Sequence, residues 1–195
     1  MSKADTTRKN ILTKAFALIY KNGYQATSID EIIATTQVTK GALYYHFKNK
    51  DEMGLAMIKE ILYHSTDATI LKPLTNTKDP QSQIYGMIKD LLDNTSFFKI
   101  EYGCPIVNLI EEMAPLDTKF ARELRKLFIE WRKMIVTYLE EAKEKKTINS
   151  TIDSEQVATF ILISYSGVRN LGKILGESCY KSYLKELKNY LTVLH

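Results

Sequence analysis

Eight consecutive residues, Lys40-Gly41-Ala42-Leu43-Tyr44-Tyr45-His46-Phe47, bring together a cation, a glycine and three polar aromatic side chains. Side chains of these types donate hydrogen bonds to base edges and phosphates, so the chemistry they suggest is recognition of a nucleic acid. At about 100° per residue on a helical wheel, Leu43 and Phe47 share one direction and form the buried side. Tyr45 points away from them, Gly41 and Ala42 share its outer half, and Tyr44 and His46 flank it. Small residues in the first turn let the backbone approach base edges, and Tyr45 reaches the same edges. Tyr44 and His46 are placed for the two phosphate walls of a major groove. Aromatic runs more often fill a core. Three consecutive polar aromatics, however, cannot all face inward.

The elements that hold this face are legible on either side. Ser28 with Glu31 three residues on forms a capping box, and Ile29, Ile32 and Ile33 give the helix that follows one apolar face. Thr35-Thr36-Gln37 breaks that pattern, Val38 buries across the corner, and Thr39 is the N-cap of the second helix. Thr27 to Lys50 is therefore expected to form a helix-turn-helix. Lys40 in the first turn opposes the helix dipole, so helix stability does not explain it and a base contact does. Lys48 and Lys50 are placed to pair with phosphate. A preceding helix is expected from about Thr6 to Lys21, with Leu12, Ala15, Phe16 and Ile19 on one face and Asn22-Gly23 ending it.

With that preceding helix, the stretch resembles the N-terminal domain of the TetR family of bacterial transcriptional regulators. The matching residues are Ile11-Leu12, Ala15-Phe16, Asn22-Gly23-Tyr24, Ala26-Thr27, Ile32, Val38, Lys40-Gly41, Leu43 to Phe47, Lys50 and Glu52. The resemblance implies a three-helix DNA-binding domain used as a homodimer on a palindromic operator. It also implies phosphate contacts from Thr27, Thr39, Tyr44, His46 and Lys50, and base approach by Lys40, Gly41 and Tyr45. Ala42 departs from the pattern, because many members carry Thr or another polar residue there.

The chain has 195 residues and a formal net charge of +4. Residues 1–50 hold eight Lys and Arg against three Asp and Glu, so the positive charge sits in the segment expected to meet DNA. Lys3, Arg8 and Lys9 could form a short arm adding phosphate or minor-groove contacts. Four prolines and eight glycines suit an all-helical protein. No apolar run approaches the ~20 residues that span a bilayer, and the N-terminus does not read as a signal peptide, so a cytoplasmic location is expected. Cys104 and Cys179 are too few for a disulfide framework, and no Cys/His spacing suggests zinc. Cys104 lies between Gly103 and Pro105 near an expected helix start. Its thiol pKa could be lowered there for redox sensing, or it could be a buried inert thiol.

The expectation is an all-α protein of about nine helices: a DNA-binding domain over residues 1–50 and a larger helical domain over 51–195. A long helix beginning near Asp51, with Leu55, Ile58, Ile61 and Leu62 buried, would connect the two. Leu71 to Asp79 reads as a loop. Further helices are expected from Pro80, from Pro105 to Met113, from Asp117 around Phe120, Leu124, Leu127, Trp131, Ile135 and Tyr138, and from about Ser154. The last runs from about Cys179 to Leu194, and its Leu184, Leu187, Leu191 and Leu194 are spaced like a coiled-coil seam. That seam packs either inside the chain or across a two-fold four-helix bundle made by the last two helices of each copy. DNA reading by paired half-sites favours the homodimer.

A body this large is not needed to read DNA, and the resemblance implies a pocket for a small-molecule effector. Met87, Leu91, Asn108, Glu112, Trp131 and Tyr165 are the candidates, with ordinary core as the competing reading for the apolar ones. A ligand preferring another body shape would tilt the helix near Asp51, and a palindromic operator would be released. No metal or cofactor is expected. An enzyme is the alternative from another class, but His46, His64 and His195 lie near no Cys or paired acids, and no phosphate loop or nucleophile elbow is present. A helical protein-binding adaptor would leave the Tyr44-Tyr45-His46 face unexplained.

Overall fold

The computed structural model describes residues 2–63, 74, 79–93 and 98–194. Among them are nine α-helices and no strand: α1 Lys3–Asn22, α2 Ile29–Ala34, α3 Lys40–His46, α4 Lys50–Met57, α5 Pro80–Asp93, α6 Pro105–Met113, α7 Thr118–Glu144, α8 Ser154–Leu175 and α9 Glu177–Tyr190. A π-helical turn, Ile58–Leu62, continues α4, and 3₁₀ turns cover Ile100–Tyr102 and Leu191–Leu194. Most of the expected loop from Leu71 to Asp79 lies outside the described residues.

Helix starts follow side-chain caps. Ser28 accepts from the Glu31 N–H, and the Glu31 carboxylate accepts from the Ser28 N–H. Thr39 caps α3 through the Ala42 N–H, Asp79 caps α5 through Ser82, and Asp153 caps α8 through Glu155 and Gln156. α1 starts three residues earlier than expected because Ser2 and Asp5 form a second capping box. The buried face of α4 also differs from expectation. Met53, Ala56, Met57, Ile58 and Leu62 are buried, whereas Leu55 and Ile61 are only partly covered, so the inward face runs through Met53, Ala56 and Met57 before the π turn begins at Ile58.

The chain divides into two compact units. The first holds residues 1–65 and 108–126, so it contains the expected 1–50 head together with α4 and parts of α6 and α7. The second holds residues 66–107 and 127–195. In the first, Ile11, Leu12, Ala15, Ile32, Leu43 and Phe47 pack the three N-terminal helices. In the second, Ile84, Leu91, Trp131, Ile135, Leu139, Ile161 and Tyr165 form a single cluster. Leu184, Leu187, Leu191 and Leu194 join this cluster, so the leucine seam is spent inside the unit rather than on a partner.

One close approach in the first unit fixes a glycine. A Cβ on Gly54 would stand 2.7 Å from Tyr24 Cε2 and 2.9 Å from Phe120 Cζ. These rings meet edge to face at 5.1 Å, and the Tyr24 hydroxyl donates to Asp51 Oδ1 at 2.7 Å. Neither ring can retreat cheaply. Gly54→Ala is expected to destabilise by about 1–3 kcal/mol in urea titration, as overpacked cores do. Gly86→Ala in α5, where the new Cβ meets nothing within 4 Å, should be neutral or mildly stabilising. Equal behaviour of the two variants would remove this account of Gly54.

Candidate nucleic-acid interface

α3 is short, and its exposure follows the wheel. Leu43 and Phe47 are buried, Tyr45 is 80% exposed and Tyr44 is 45% exposed. Lys40, Gly41 and Thr39 are exposed, and His46 is partly covered. The helix thus carries an outward stripe of Lys40, Gly41, Tyr44 and Tyr45 on a buried apolar base. The Tyr45 and His46 rings meet edge to face at 5.1 Å. Thr39 Oγ1 accepts the Ala42 N–H and keeps its own O–H for an outside acceptor. Lys40 Nζ donates to Asp30 Oδ1 at 2.9 Å across the turn, and this carboxylate raises the ammonium's pKa above its ordinary value.

Three expected DNA contacts sit differently from the rest. Thr27 is 0% exposed, and its hydroxyl donates to the Gly23 carbonyl at 2.7 Å. Its one O–H is used inside the fold, so a side-chain phosphate contact requires that hydrogen bond to be given up. Lys50 is partly buried, with its ammonium 4.5 Å from the centre of the Tyr24 ring and 3.4 Å from the Gln25 carbonyl. Burial lowers its pKa. A phosphate contact from Lys50 requires the side chain to leave this seat. Arg8 is no free arm either. It pairs with Glu60, and its Nη1 donates to the His46 carbonyl at 3.2 Å. Lys3 and Lys9 remain exposed.

The six candidate effector residues do not form one set. Met87, Leu91, Trp131 and Tyr165 lie together in the core of the second unit, where the Trp131 and Tyr165 rings meet edge to face at 5.6 Å. Asn108 and Glu112 belong to the first unit. The Glu112 carboxylate accepts the Gln25 N–H at 3.0 Å, beside Gly23, whose φ of 92° suits glycine. Glu112 thereby braces the turn after α1. The Cys104 thiol is buried, and burial pushes its pKa up, outweighing the lowering by the Val107 and Ile106 N–H groups at the helix start, which favours the buried-thiol alternative. Burial also raises the Cys179 thiol. No cluster of His, Cys, Asp and Glu able to hold a metal occurs among the described residues, and no helix among them is long and apolar enough to cross a membrane.

A capped two-helix unit that presents polar aromatics, a glycine and a lysine on one exposed stripe defines a helix-turn-helix DNA-binding regulator. The chain belongs to the TetR family: residues 11–57 match the profile of bacterial regulatory proteins of the tetR family, and residues 80–184 match the tetracycline-repressor-like C-terminal domain. An HTH-type transcriptional regulator in the lacX 3′ region of Lactococcus lactis subsp. lactis is 35% identical over 133 residues, which is 68% of each chain. The HTH-type transcriptional repressor DhaR of Mycobacterium sp. (strain GP1) is 25% identical over 164 residues, covering 82% of this chain and 79% of that one. A TetR transcriptional regulator from Chloroflexus aurantiacus J-10-FL superposes with a TM-score of 0.88 at 25% identity, over 98% of this chain and 97% of its own. The protein is thus a ligand-responsive, DNA-binding transcriptional regulator.

Proposed function

We propose that the chain acts in the cytoplasm as a homodimeric repressor without catalytic activity. Residues 1–50 read a palindromic operator, and a small molecule bound in the helical body releases it. The observation that carries this reading is the exposed Lys40-Gly41-Tyr44-Tyr45 stripe on a base of buried Leu43 and Phe47. Lys40, Gly41 and Tyr45 approach base edges, while Thr39, Tyr44 and His46 donate to phosphate. Lys40 exchanges Asp30 for a base or phosphate acceptor on binding.

The dimer uses α8 more than the leucine seam. Ile163 is 64% exposed and Ile174 is 79% exposed, and Leu171 and Leu175 are also exposed. Phe160, Ile163, Gly167, Leu171 and Ile174 fall at helical spacing on one side. Gly167 and Leu171 also line an apolar groove with Cys179 and Tyr183 of α9. An apolar face of this extent is characteristic of a partner surface. The effector binds among Met87, Leu91, Trp131 and Tyr165. The Trp131 indole N–H, buried with no acceptor among the described residues, is the polar group that such a ligand would satisfy.

Selection from a randomised duplex library at physiological salt tests the operator reading. An enriched inverted repeat, lost with Lys40→Ala or Tyr45→Ala, is expected. Tyr45→Ala should cost about 1–3 kcal/mol of specific binding, a loss of roughly 5- to 160-fold. Salt-sensitive bulk binding with no enriched sequence would count against a sequence-specific reader.

A further inference from the structure

One guanidinium in the first unit makes four interactions at once. Arg8 Nη2 and Nε donate to the two Glu60 oxygens at 2.6 and 3.2 Å, a bidentate pair. Nη1 donates to the His46 carbonyl at 3.2 Å, and the guanidinium carbon stands 4.4 Å from the centre of the Phe47 ring. His46 is the last residue of α3 and Phe47 its C-cap. Arg8 therefore sits at the negative end of the reading helix, where a cation is favourable. Its counter-ion lies in the π turn Ile58–Leu62. Such turns concentrate at functional positions.

We infer that Arg8 and Glu60 form a latch that sets the orientation of α3 for DNA. Both are positioning residues that touch no part of the duplex. This rests on α3 being the reading helix. The planar fork suits the task. It spans a carboxylate and a carbonyl while its face covers a ring, which the point charge of a lysine cannot reproduce. The latch also places the end of α3 under the control of the non-α turn. A change of helical register through Ile58–Leu62 would carry Glu60 away from Arg8 and release the His46 carbonyl with it.

The opposing assignment is a basic arm, with Arg8 on phosphate and Glu60 a nearby negative charge. The two differ in sign. A latch predicts that Glu60→Gln weakens binding to the duplex selected by the wild-type protein, by roughly tenfold at fixed salt, despite removing a negative charge. It predicts a comparable loss for Arg8→Lys, with the slope of log affinity against log salt unchanged in both. An arm predicts tighter binding by Glu60→Gln, near-normal binding by Arg8→Lys, and a salt slope smaller by about one for Arg8→Gln. Either of the first two results overturns the latch.

Amide hydrogen exchange on the free protein supplies a readout that needs no DNA. Glu60→Gln should speed exchange of the Leu43 and Phe47 amides several-fold and leave the Ile11 to Phe16 amides protected. Uniform acceleration across α1 and α3 would reduce the pair to general stability and overturn the proposal. If the wild-type protein selects no duplex, the DNA reading fails, while the exchange result still decides whether Glu60 orders α3.

Discussion

Gly41→Ala is expected to leave the free protein as stable as the wild type or slightly more so, and to weaken operator binding at least tenfold. Gly41→Val should weaken it by a further large factor. Gly41 lies in the first turn of α3, its backbone is not left-handed, and a Cβ there would meet nothing within 4 Å. Glycine inside a helix costs about 0.5–1 kcal/mol relative to alanine. The free fold thus gains nothing from Gly41, and any need for it must come from what approaches this face. A major groove supplies that need, since backbone brought close to base edges leaves no room for a methyl group. Urea titration and a binding isotherm on the selected duplex check the two halves separately. Unchanged affinity with added stability would mean that α3 does not enter the groove by this side.

Ile174→Glu combined with Ile163→Glu should convert the dimer into soluble monomer and abolish binding to the full inverted repeat, with unfolding little altered. Both side chains are exposed in the single chain, so charging them disturbs no core. In a two-fold interface each substitution is counted twice and buries four carboxylates in an apolar patch. Leu187→Glu serves as the contrast. Leu187 lies in the core of the second unit, so this variant should unfold rather than dissociate. Sedimentation velocity separates these outcomes. A dimer that survives the double substitution would move the interface off this face of α8.

The two predictions draw on parts of the molecule that differ in how far the sequence reveals them. The helix-turn-helix is written locally. Ser28 with Glu31, Thr39 with Ala42, and Leu43 with Phe47 all interact within four residues, so a wheel and the capping rules find them. The second unit is legible as helices but not as faces. The 3-4-3 leucine spacing of the last segment suits an internal core and a dimer seam equally, and only its place in the cluster decides. The exposed α8 stripe was obscured because both sides of that helix are apolar. Buried Ile161, Leu162 and Tyr165 alternate with exposed Phe160 and Ile163.

Roles that depend on long loops of chain left no local signal. Glu112 meets Gln25 across 87 residues, and Glu60 meets Arg8 across 52. Nothing in a basic N-terminus distinguishes an arginine seated on its own fold from one awaiting phosphate. Thr27 is a related case. Its type and place fit a phosphate donor, yet its hydroxyl donates to the carbonyl of Gly23, four residues back. The π turn is hidden for another reason. It adds no unusual residue type over Ile58–Leu62, and the sequence there reads as an unbroken continuation of α4.

Trp131 is the only tryptophan in the chain, and it lies in the core of the second unit with its ring edge against Tyr165. The twelve tyrosines are spread over both units, but indole emission arises at this one position. The protein therefore carries its own optical reporter at the place where an effector is expected. A buried indole with no acceptor should emit at short wavelength, and a ligand that accepts its N–H should move the band to the red. An unlabelled compound library can be screened against that single signal, and duplex DNA added afterwards would read the same fluorophore from the other end of the coupling.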